Sequence, residues 1–276
     1  MTATIRLRLG QHLRGGFLAG WTVVVLLFLL VPLAVPLVLS FSSERVFVFP
    51  PSGLSWRWYA ELFAEERWRS SILNSFIVGL GSTFLATVLG TMGALGLHSP
   101  AFPARNVVRG LILSPIMTPF IITAVGSYMV AAKVGLLNTY AALIIAHTVL
   151  GAPFVVVAVT ASLSGFDSNL VRAAQSCGAT PSVAFRRVTL PLILPGVLSG
   201  AALAFATTFD EVVIAQFLTG AGQRTLPLQM FTSLREQLSP ALTAAATLMM
   251  VLSLVLLGIS QILRRKSEAR LVRTDA

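Results

Sequence analysis

The stretch VRAAQSCGATPSVAFRRVTLPL, residues 171–192, is a basic segment between two long apolar runs, and it contains three arginines, one glycine and two prolines. We expect a first short helix that stops at Gly178. A second should have Thr180 as N-cap and Pro181 in its first turn, because proline lacks the N–H that is unpaired there in any case. A loop that only joins two membrane spans could be far shorter. The pattern therefore predicts a bent surface element across the end of a helical bundle.

The flanking composition indicates a membrane protein. Of the 276 residues, 55% are hydrophobic and 11% are charged, and the mean hydropathy is +0.84. Soluble domains carry about 25% charged residues. A spanning helix needs roughly 20 apolar residues, and the alternating pattern of a membrane β-barrel is absent. The sequence predicts an all-α membrane protein with six transmembrane helices, near residues 18–41, 72–97, 107–132, 138–163, 192–218 and 240–263.

The positions of the charges predict the topology and argue against a nucleic-acid partner, despite a pI near 11.3. Six spans put both termini on one side, which then carries 13 basic residues against three acids, whereas the other side carries seven against five. Basic residues are concentrated in cytoplasmic loops, so we expect both termini in the cytoplasm of a bacterial inner (cytoplasmic) membrane protein. The 13 basic residues are Arg6, Arg8, Arg14, Arg105, Arg109, Arg172, Arg186, Arg187, Arg264, Arg265, Lys266, Arg270 and Arg273.

These spans divide the chain into segments rather than soluble domains. The predicted order begins with a cytoplasmic N-terminus (1–17), a first transmembrane helix (18–41) and a periplasmic segment (42–71). A core of five transmembrane helices (72–263) follows, with a cytoplasmic loop at 164–191, and the chain continues into a basic cytoplasmic tail (264–276). The aromatic and charged residues of the periplasmic segment favour an interfacial anchor. A docking surface for an external partner is the alternative.

Several features favour structural interpretations over catalytic or metal-binding ones. The single Cys177 excludes an internal disulfide, and no neighbouring residues suggest a metal site. The glycines of residues 79–96 do not follow a strand, so close helix packing is the better explanation than a dinucleotide site. His147 stands alone in an apolar run, which favours a packed, hydrogen-bonded residue. With three scattered histidines and no HExxH or GxSxG motif, a membrane-embedded enzyme is disfavoured.

The opening stretch resembles the cytoplasmic EAA loop of binding-protein-dependent ABC importers, whose pattern is EAA, three residues, Gly, nine residues and Ile-x-Leu-Pro. In that family the loop couples the permease to its ATPase, so the resemblance implies a coupling role for these residues. Arg172 departs from the pattern, because the family usually has Glu at this position. The residues in register are Arg172, Ala173, Ala174, Gly178, Val188, Leu190 and Pro191.

The resemblance extends over roughly residues 40–265. Asn74 and Ser75 fall at the usual Asn-Ser position near the start of the permease core. Residues 207–256 resemble one of the two permease subunits of spermidine/putrescine importers, a subfamily that also handles opines and phosphonates. The resemblance implies a type I ABC importer transmembrane domain, a translocation path shared with a second permease chain, and alternating access as the mechanism.

Asp210 and Glu211 form an acidic pair that the sequence places inside the fifth span. Such residues are costly in a membrane and usually face a cavity or a partner. Adjacent positions on a helix point about 100° apart, so one could line a path while the other pairs elsewhere. Two hypotheses remain open: a buried ion pair that fixes the bundle, or a substrate path that attracts a cation.

The predicted function is the permease subunit of an ATP-driven importer for a small solute, most consistent with a polyamine. The chain lacks a Walker A motif, so no cofactor is expected here, and ATP and Mg should be bound by a partner. The expected partners are a cytoplasmic ATPase dimer, a second permease subunit, a periplasmic solute-binding protein and membrane lipid. Iron, phosphonate and opine importers remain alternatives, and a stand-alone channel or secondary carrier is the alternative from another class.

Overall fold

A computed structural model describes the backbone of residues 2–99, 102–236 and 239–274, and side chains for residues 18, 20–99, 102–236, 239–256 and 258. Asp275 and the side chains of the predicted tail, 264–276, lie outside these ranges, as do the side chains of 1–17. In the described part the helices are α1 (Thr2–Leu39), α2 (Arg57–Ala64), α3 (Glu66–His98), α4 (Arg105–Met117), α5 (Phe120–Lys133), α6 (Tyr140–Ser164), α7 (Asn169–Ser176), α8 (Pro181–Ala184), α9 (Leu190–Phe209), α10 (Val213–Leu218), α11 (Leu226–Glu236) and α12 (Ala241–Thr274).

The apolar helices coincide with the stretches that the sequence predicted to span the membrane. Four are long and apolar enough among the described residues: Gly20–Leu39, Glu66–His98, Tyr140–Ser164 and Pro181–Phe209. A fifth candidate is α4 with α5, bent by 105° at their junction, and α12 is apolar over Ala241–Leu256. The all-α membrane class is therefore confirmed, although the helix bounds differ from the predicted ones.

The first predicted span, 18–41, agrees with the apolar segment Gly20–Leu39, although α1 itself begins earlier, at Thr2. Two other predicted spans were wrong in detail. The span at 107–132 is broken, because Thr118 is extended (φ −83°, ψ 131°) and precedes Pro119. A residue before proline is disfavoured in a helix, and proline itself cannot donate to the helix. The span at 192–218 is two helices, since α9 ends at Phe209 and α10 begins at Val213.

The chain divides into two compact units, residues 1–62 with 237–248 and residues 63–236 with 249–276. In the first unit, large apolar side chains of α1 are exposed, as expected for a helix in lipid. An aromatic group of Phe41, Trp56 and Tyr59 follows it. The buried Trp58 donates from Nε1 to the carbonyl of Ser42 at 2.7 Å, which fixes the start of α2 against the chain after α1.

The core of the second unit is formed by α3, α6 and α9, which approach closely at small residues. A Cβ built on Gly90 of α3 would lie 2.7 Å from Cβ of Val155, and one on Gly200 of α9 would lie 2.8 Å from Cα of Val155. Only glycine permits such separations, and small residues are the usual contact of membrane helices. The explanation of residues 79–96 by close packing is consistent with these contacts.

The same contacts give the helix directions within this unit. Gly81 lies against Ile144 and Gly90 against Val155, so α3 and α6 run parallel. Ala204 of α9 lies against Gly151 of α6, and α9 runs antiparallel to both. His98, Ser164 and Leu190 therefore share one end, which we call the loop end. Asn74, Tyr140 and Asp210 share the other, which we call the break end.

Candidate functional site

At the break between α9 and α10, the side chain of Glu211 caps the start of α10. Its Oε1 accepts the backbone N–H groups of Val213 at 2.8 Å and Ile214 at 2.9 Å, and its Oε2 accepts those of Ile214 at 2.9 Å and Ala215 at 3.3 Å. These amides open α10 and have no helical partner of their own. A carboxylate at a helix start is also favoured by the helix dipole. Glu211 is 7% exposed and acts as the cap that lets the helix restart.

The side chains of Asp210 and Glu211 lie in different environments. Asp210 directly follows the last residue of α9 and is exposed, whereas Glu211 is buried against α10. The prediction that both lie within a continuous span was wrong, because the chain leaves the helix at this pair. Of the two, Asp210 has the exposed carboxylate.

His147 of α6 lies beside the Glu211 cap. Its Nε2 is 3.6 Å from Oε2 of Glu211, and the two side chains are 0% and 4% exposed. Its Nδ1 lies 2.8 Å from the carbonyl oxygen of Leu143, one helical turn earlier. The packed position predicted for His147 is consistent with this burial, but the neighbouring carboxylate was not predicted.

Asn74 holds the segment that follows α10. Its side-chain Nδ2 donates to the carbonyls of Gly222 at 3.0 Å and Arg224 at 2.9 Å, and its Oδ1 accepts the hydroxyl of Tyr140 at 2.7 Å. Ser75 accepts the N–H of Leu226 at 2.7 Å. The Asn-Ser pair therefore fixes three parts of the break end: the start of α3, the start of α6 and the turn before α11.

A cleft of about 250 Å³ opens between α10 and α11. Arg224 and Arg235 line it, and the guanidinium of Arg235 lies 4.4 Å from the ring centroid of Phe231. Asp210 does not line this cleft. The charged lining consists of these two guanidinium groups and the carboxylate of Glu236, and its net positive charge disfavours a cation.

At the loop end, residues 169–190 have the predicted form of helix, glycine turn and helix. The first helix, α7, follows Ser168, and Gly178 has a φ of +89° after it. Thr180 precedes α8 in an extended conformation, and Pro181 lies in its first turn. Although Thr180 occupies the cap position, its side chain makes no capping hydrogen bond.

A π-helical turn, Phe185–Thr189, joins α8 to α9. The N–H of Leu190 donates to the carbonyl of Phe185, five residues earlier. Pro191 follows directly, and in a regular helix its ring would clash with the carbonyl of Arg187. The wider π turn gives this proline room, and such turns are frequent at functional sites.

The predicted coupling residues lie mostly on the surface of the second unit. Arg172, Ala173, Gly178 and Pro191 are exposed, whereas Ala174, Val188 and Leu190 are half-buried. Large apolar side chains are exposed beside them at Leu170, Val183 and Phe185, with exposed fractions of 46%, 39% and 36%. A bent apolar surface with a basic rim has the composition of a protein-docking site.

Comparison with known proteins identifies the family. The model of the binding-protein-dependent transport system inner membrane component matches residues 86–269. This chain belongs to that family. It is therefore a multi-pass component of the inner membrane and part of a transport system rather than an enzyme, as predicted.

Two relatives cover most of the chain. It is 33% identical to the spermidine/putrescine transport system permease protein PotC of Haemophilus influenzae over 88% of this chain and 95% of that protein. It is 31% identical to the putrescine transport system permease protein PotI of Escherichia coli (strain K12) over 83% of this chain and 85% of that protein. The type I importer fold is shared with a solved bacterial ABC transporter involved in the import of the acidic polysaccharide alginate. The two structures superpose with a TM-score of 0.70 at 17% identity, over 92% of this chain and 96% of that one.

Sequence reasoning missed the partners of the site residues. Tyr140, Gly222 and His147 were not linked to Asn74 or Glu211, because 64 to 148 positions separate the partners along the chain. The one local signal was the acidic pair followed by an apolar run: an acid just before a helix start is a capping pattern. Because the residues around the pair are apolar, hydropathy gave no sign of the break.

Proposed function

We propose that this chain is a permease subunit of an ATP-driven importer for spermidine or putrescine. The observation that carries the proposal is its 33% identity to a spermidine/putrescine permease over almost the whole of both chains. The putrescine permease relative supports the same substrate class. The fold alone does not select a substrate, since the structural neighbour above serves an acidic polysaccharide.

Asp210 is the residue that we assign to the cationic substrate. Its carboxylate is exposed at the break end, at the helix break that ends α9. Polyamines are chains of protonated amines, and an unpaired carboxylate in a low-dielectric path attracts such a cation. A second permease chain supplies the other wall of the path in this proposal.

The loop end is assigned to the cytoplasm and to energy coupling. The exposed apolar residues beside Ala173 and Gly178 fit a groove on a cytoplasmic ATPase dimer, which binds ATP and Mg; this chain binds no cofactor. Both termini lie in the cytoplasm, and the break end faces the periplasm, where the solute-binding protein docks. ATP binding closes the ATPase dimer, and the loops move the helices so that the path opens alternately to each side.

Uptake in whole cells tests the substrate. A strain without its own polyamine uptake should express this chain with its second permease, ATPase and binding protein. We expect uptake of labelled spermidine that excess putrescine suppresses and that ferric iron, a phosphonate or an opine does not. Suppression by one of those three, with none by putrescine, would assign the corresponding alternative substrate.

Asp210→Asn should lower the initial uptake rate by roughly tenfold, the effect of losing about 1.4 kcal/mol of charge interaction. The amount of assembled complex should not change, because Asp210 is exposed. Glu236→Gln, which removes another exposed acid on α11, is the matched control and should transport normally. Normal uptake by Asp210→Asn would remove Asp210 from the path without changing the substrate assignment.

A further inference from the structure

The geometry of the buried contact between His147 and Glu211 determines which ring nitrogen of His147 carries a hydrogen. A carbonyl oxygen can only accept, so Nδ1 of His147, 2.8 Å from the carbonyl of Leu143, must carry a hydrogen. In a neutral imidazole the other nitrogen then presents a lone pair. That nitrogen, Nε2, has no hydrogen-bond partner among the described residues and lies 3.6 Å from Oε2 of Glu211.

Two acceptors cannot face each other in a dry site without cost. The imidazole is 0% exposed and the carboxylate 4% exposed, so bulk solvent does not screen them. A lone pair opposite an ionised carboxylate would leave both atoms unsatisfied and a buried charge uncompensated. In the described part of the chain no Lys or Arg nitrogen lies within 4.0 Å of Glu211 to compensate it. Asp210, the adjacent acid, adds a like charge and raises this cost further.

We propose that His147 and Glu211 hold one proton between Nε2 and Oε2, so that the pair is electrically neutral and positions the helix break. Whether the proton resides on the imidazole or on the carboxyl group, it replaces two facing lone pairs with one donor and one acceptor, and at 3.6 Å their attraction is electrostatic rather than a formed hydrogen bond. The pair then joins α6 to the start of α10, where the same carboxylate caps Val213, Ile214 and Ala215. His147 is a positioning residue that acts through Glu211 and does not touch the solute.

This neutral pair defines the charge of the path, an extension that rests on the proposed function above. Because the charge of Glu211 is compensated inside the chain, Asp210 is the one carboxylate of the acidic pair that acts on a cation. A neighbouring pair of acids therefore presents one negative charge, not two. One charge attracts a polyamine less strongly than two would, which favours release as well as entry.

Removing the two partners singly and together tests the proposal. The variants are His147→Leu, Glu211→Gln and the double variant, each in the full complex with its partner subunits. His147→Leu should lower the yield of the assembled complex several-fold, since it leaves a buried carboxylate without its partner. It should also lower the thermal midpoint of the complex that does assemble. Adding Glu211→Gln should restore most of the loss, because it removes the charge that needed the proton. His98→Leu, which removes a histidine at the loop end, is the matched control.

Glu211→Gln alone should assemble, because its amide oxygen still accepts from α10 and its amide nitrogen donates to Nε2. Its uptake should stay within about twofold of the parent, in contrast to the Asp210→Asn loss. If the double variant is as poor as His147→Leu, the histidine acts by volume alone and the proposal fails. Normal assembly by His147→Leu would also overturn it. Lost uptake by Glu211→Gln at normal yield would show that Glu211 faces the solute, and would leave the polyamine assignment intact.

Discussion

At the scale of single residues, Asn74 is the described polar side chain at the break end that makes the most hydrogen bonds to residues distant in the sequence. It is 4% exposed and makes three side-chain hydrogen bonds, to Gly222, Arg224 and Tyr140. Asn74→Ala should destabilise the chain by about 2–4 kcal/mol, since each lost bond costs roughly 1 kcal/mol and leaves a buried partner unsatisfied. The thermal midpoint of the purified complex measures this.

The control is Asn106→Ala on α4, which removes an exposed asparagine side chain. It should leave the midpoint unchanged. An equal loss in both variants would mean that the Asn74 contacts add no specific stability.

The sequence indicated which residues were unusual here but not what they contact. Asp210 and Glu211 were recognised because acids are rare in apolar segments. Their division into one exposed and one capping carboxylate depends on the break in the helix, which hydropathy does not report. The role of His147 depends on a residue 64 positions away, and a single sequence carries no signal for that pairing.

At the scale of elements, the packing of α3 against α6 depends on Gly90. A Cβ there would lie 2.7 Å from Cβ of Val155 and 2.9 Å from the carbonyl oxygen of Ala152. Gly90→Ala should therefore separate the two helices and cost about 1–3 kcal/mol, the usual cost of overpacking. We expect a lower yield and thermal midpoint of the complex.

Gly93→Ala on the same helix is the matched control, because its nearest neighbour would be 3.7 Å away, an ordinary contact. This variant should behave as the parent chain does. If Gly90→Ala also matched the parent, the close approach of these helices would not contribute to stability.

The turn between α7 and α8 depends on the backbone of Gly178. Its φ of +89° is unfavourable for side chains, and a Cβ there would meet nothing within 4 Å in the described structure. Gly178→Val should distort the turn at a cost of about 1–2 kcal/mol, with a greater effect on the shape of the surface that we propose for ATPase docking. We expect less ATPase to co-purify and slower ATP-driven uptake, while the amount of this chain in the membrane stays normal.

Gly178→Asn is the control, because asparagine adopts positive φ more readily than a β-branched residue does. It should retain more of the ATPase than Gly178→Val. Equal and normal co-purification in both variants would remove the turn from the coupling surface.

Regular elements were more predictable than their ends. The two short helices around Gly178 were predicted from N-cap and glycine signals, which are local. The break at Pro119 has a local cause in the sequence, because proline cannot donate to a helix and disfavours helical backbone in the residue before it. The break at residues 210–212 has no such cause, because it is made by the Glu211 side chain capping α10 and not by glycine or proline.

At the scale of the whole molecule, composition was sufficient for the class. Long apolar stretches must be helical in lipid, which left few architectures for this chain. The parallel course of α3 and α6 with α9 antiparallel brings residues 98–99, 102–105 and 164–190 to one end of the second unit, consistent with the side that the basic residues predicted. The substrate could not be obtained from the fold, because one type of bundle serves solutes of opposite charge.

The most direct measurement is spermidine uptake into proteoliposomes that contain the purified complex of this chain, its second permease and its ATPase, with the binding protein added on the side of the break end. The account predicts uptake that requires ATP on the opposite side and the loaded binding protein, and that falls with Asp210→Asn. Spermidine uptake of the same size without ATP would contradict it and indicate a channel or secondary carrier. Absence of spermidine and putrescine uptake from a complex that hydrolyses ATP would contradict the substrate assignment.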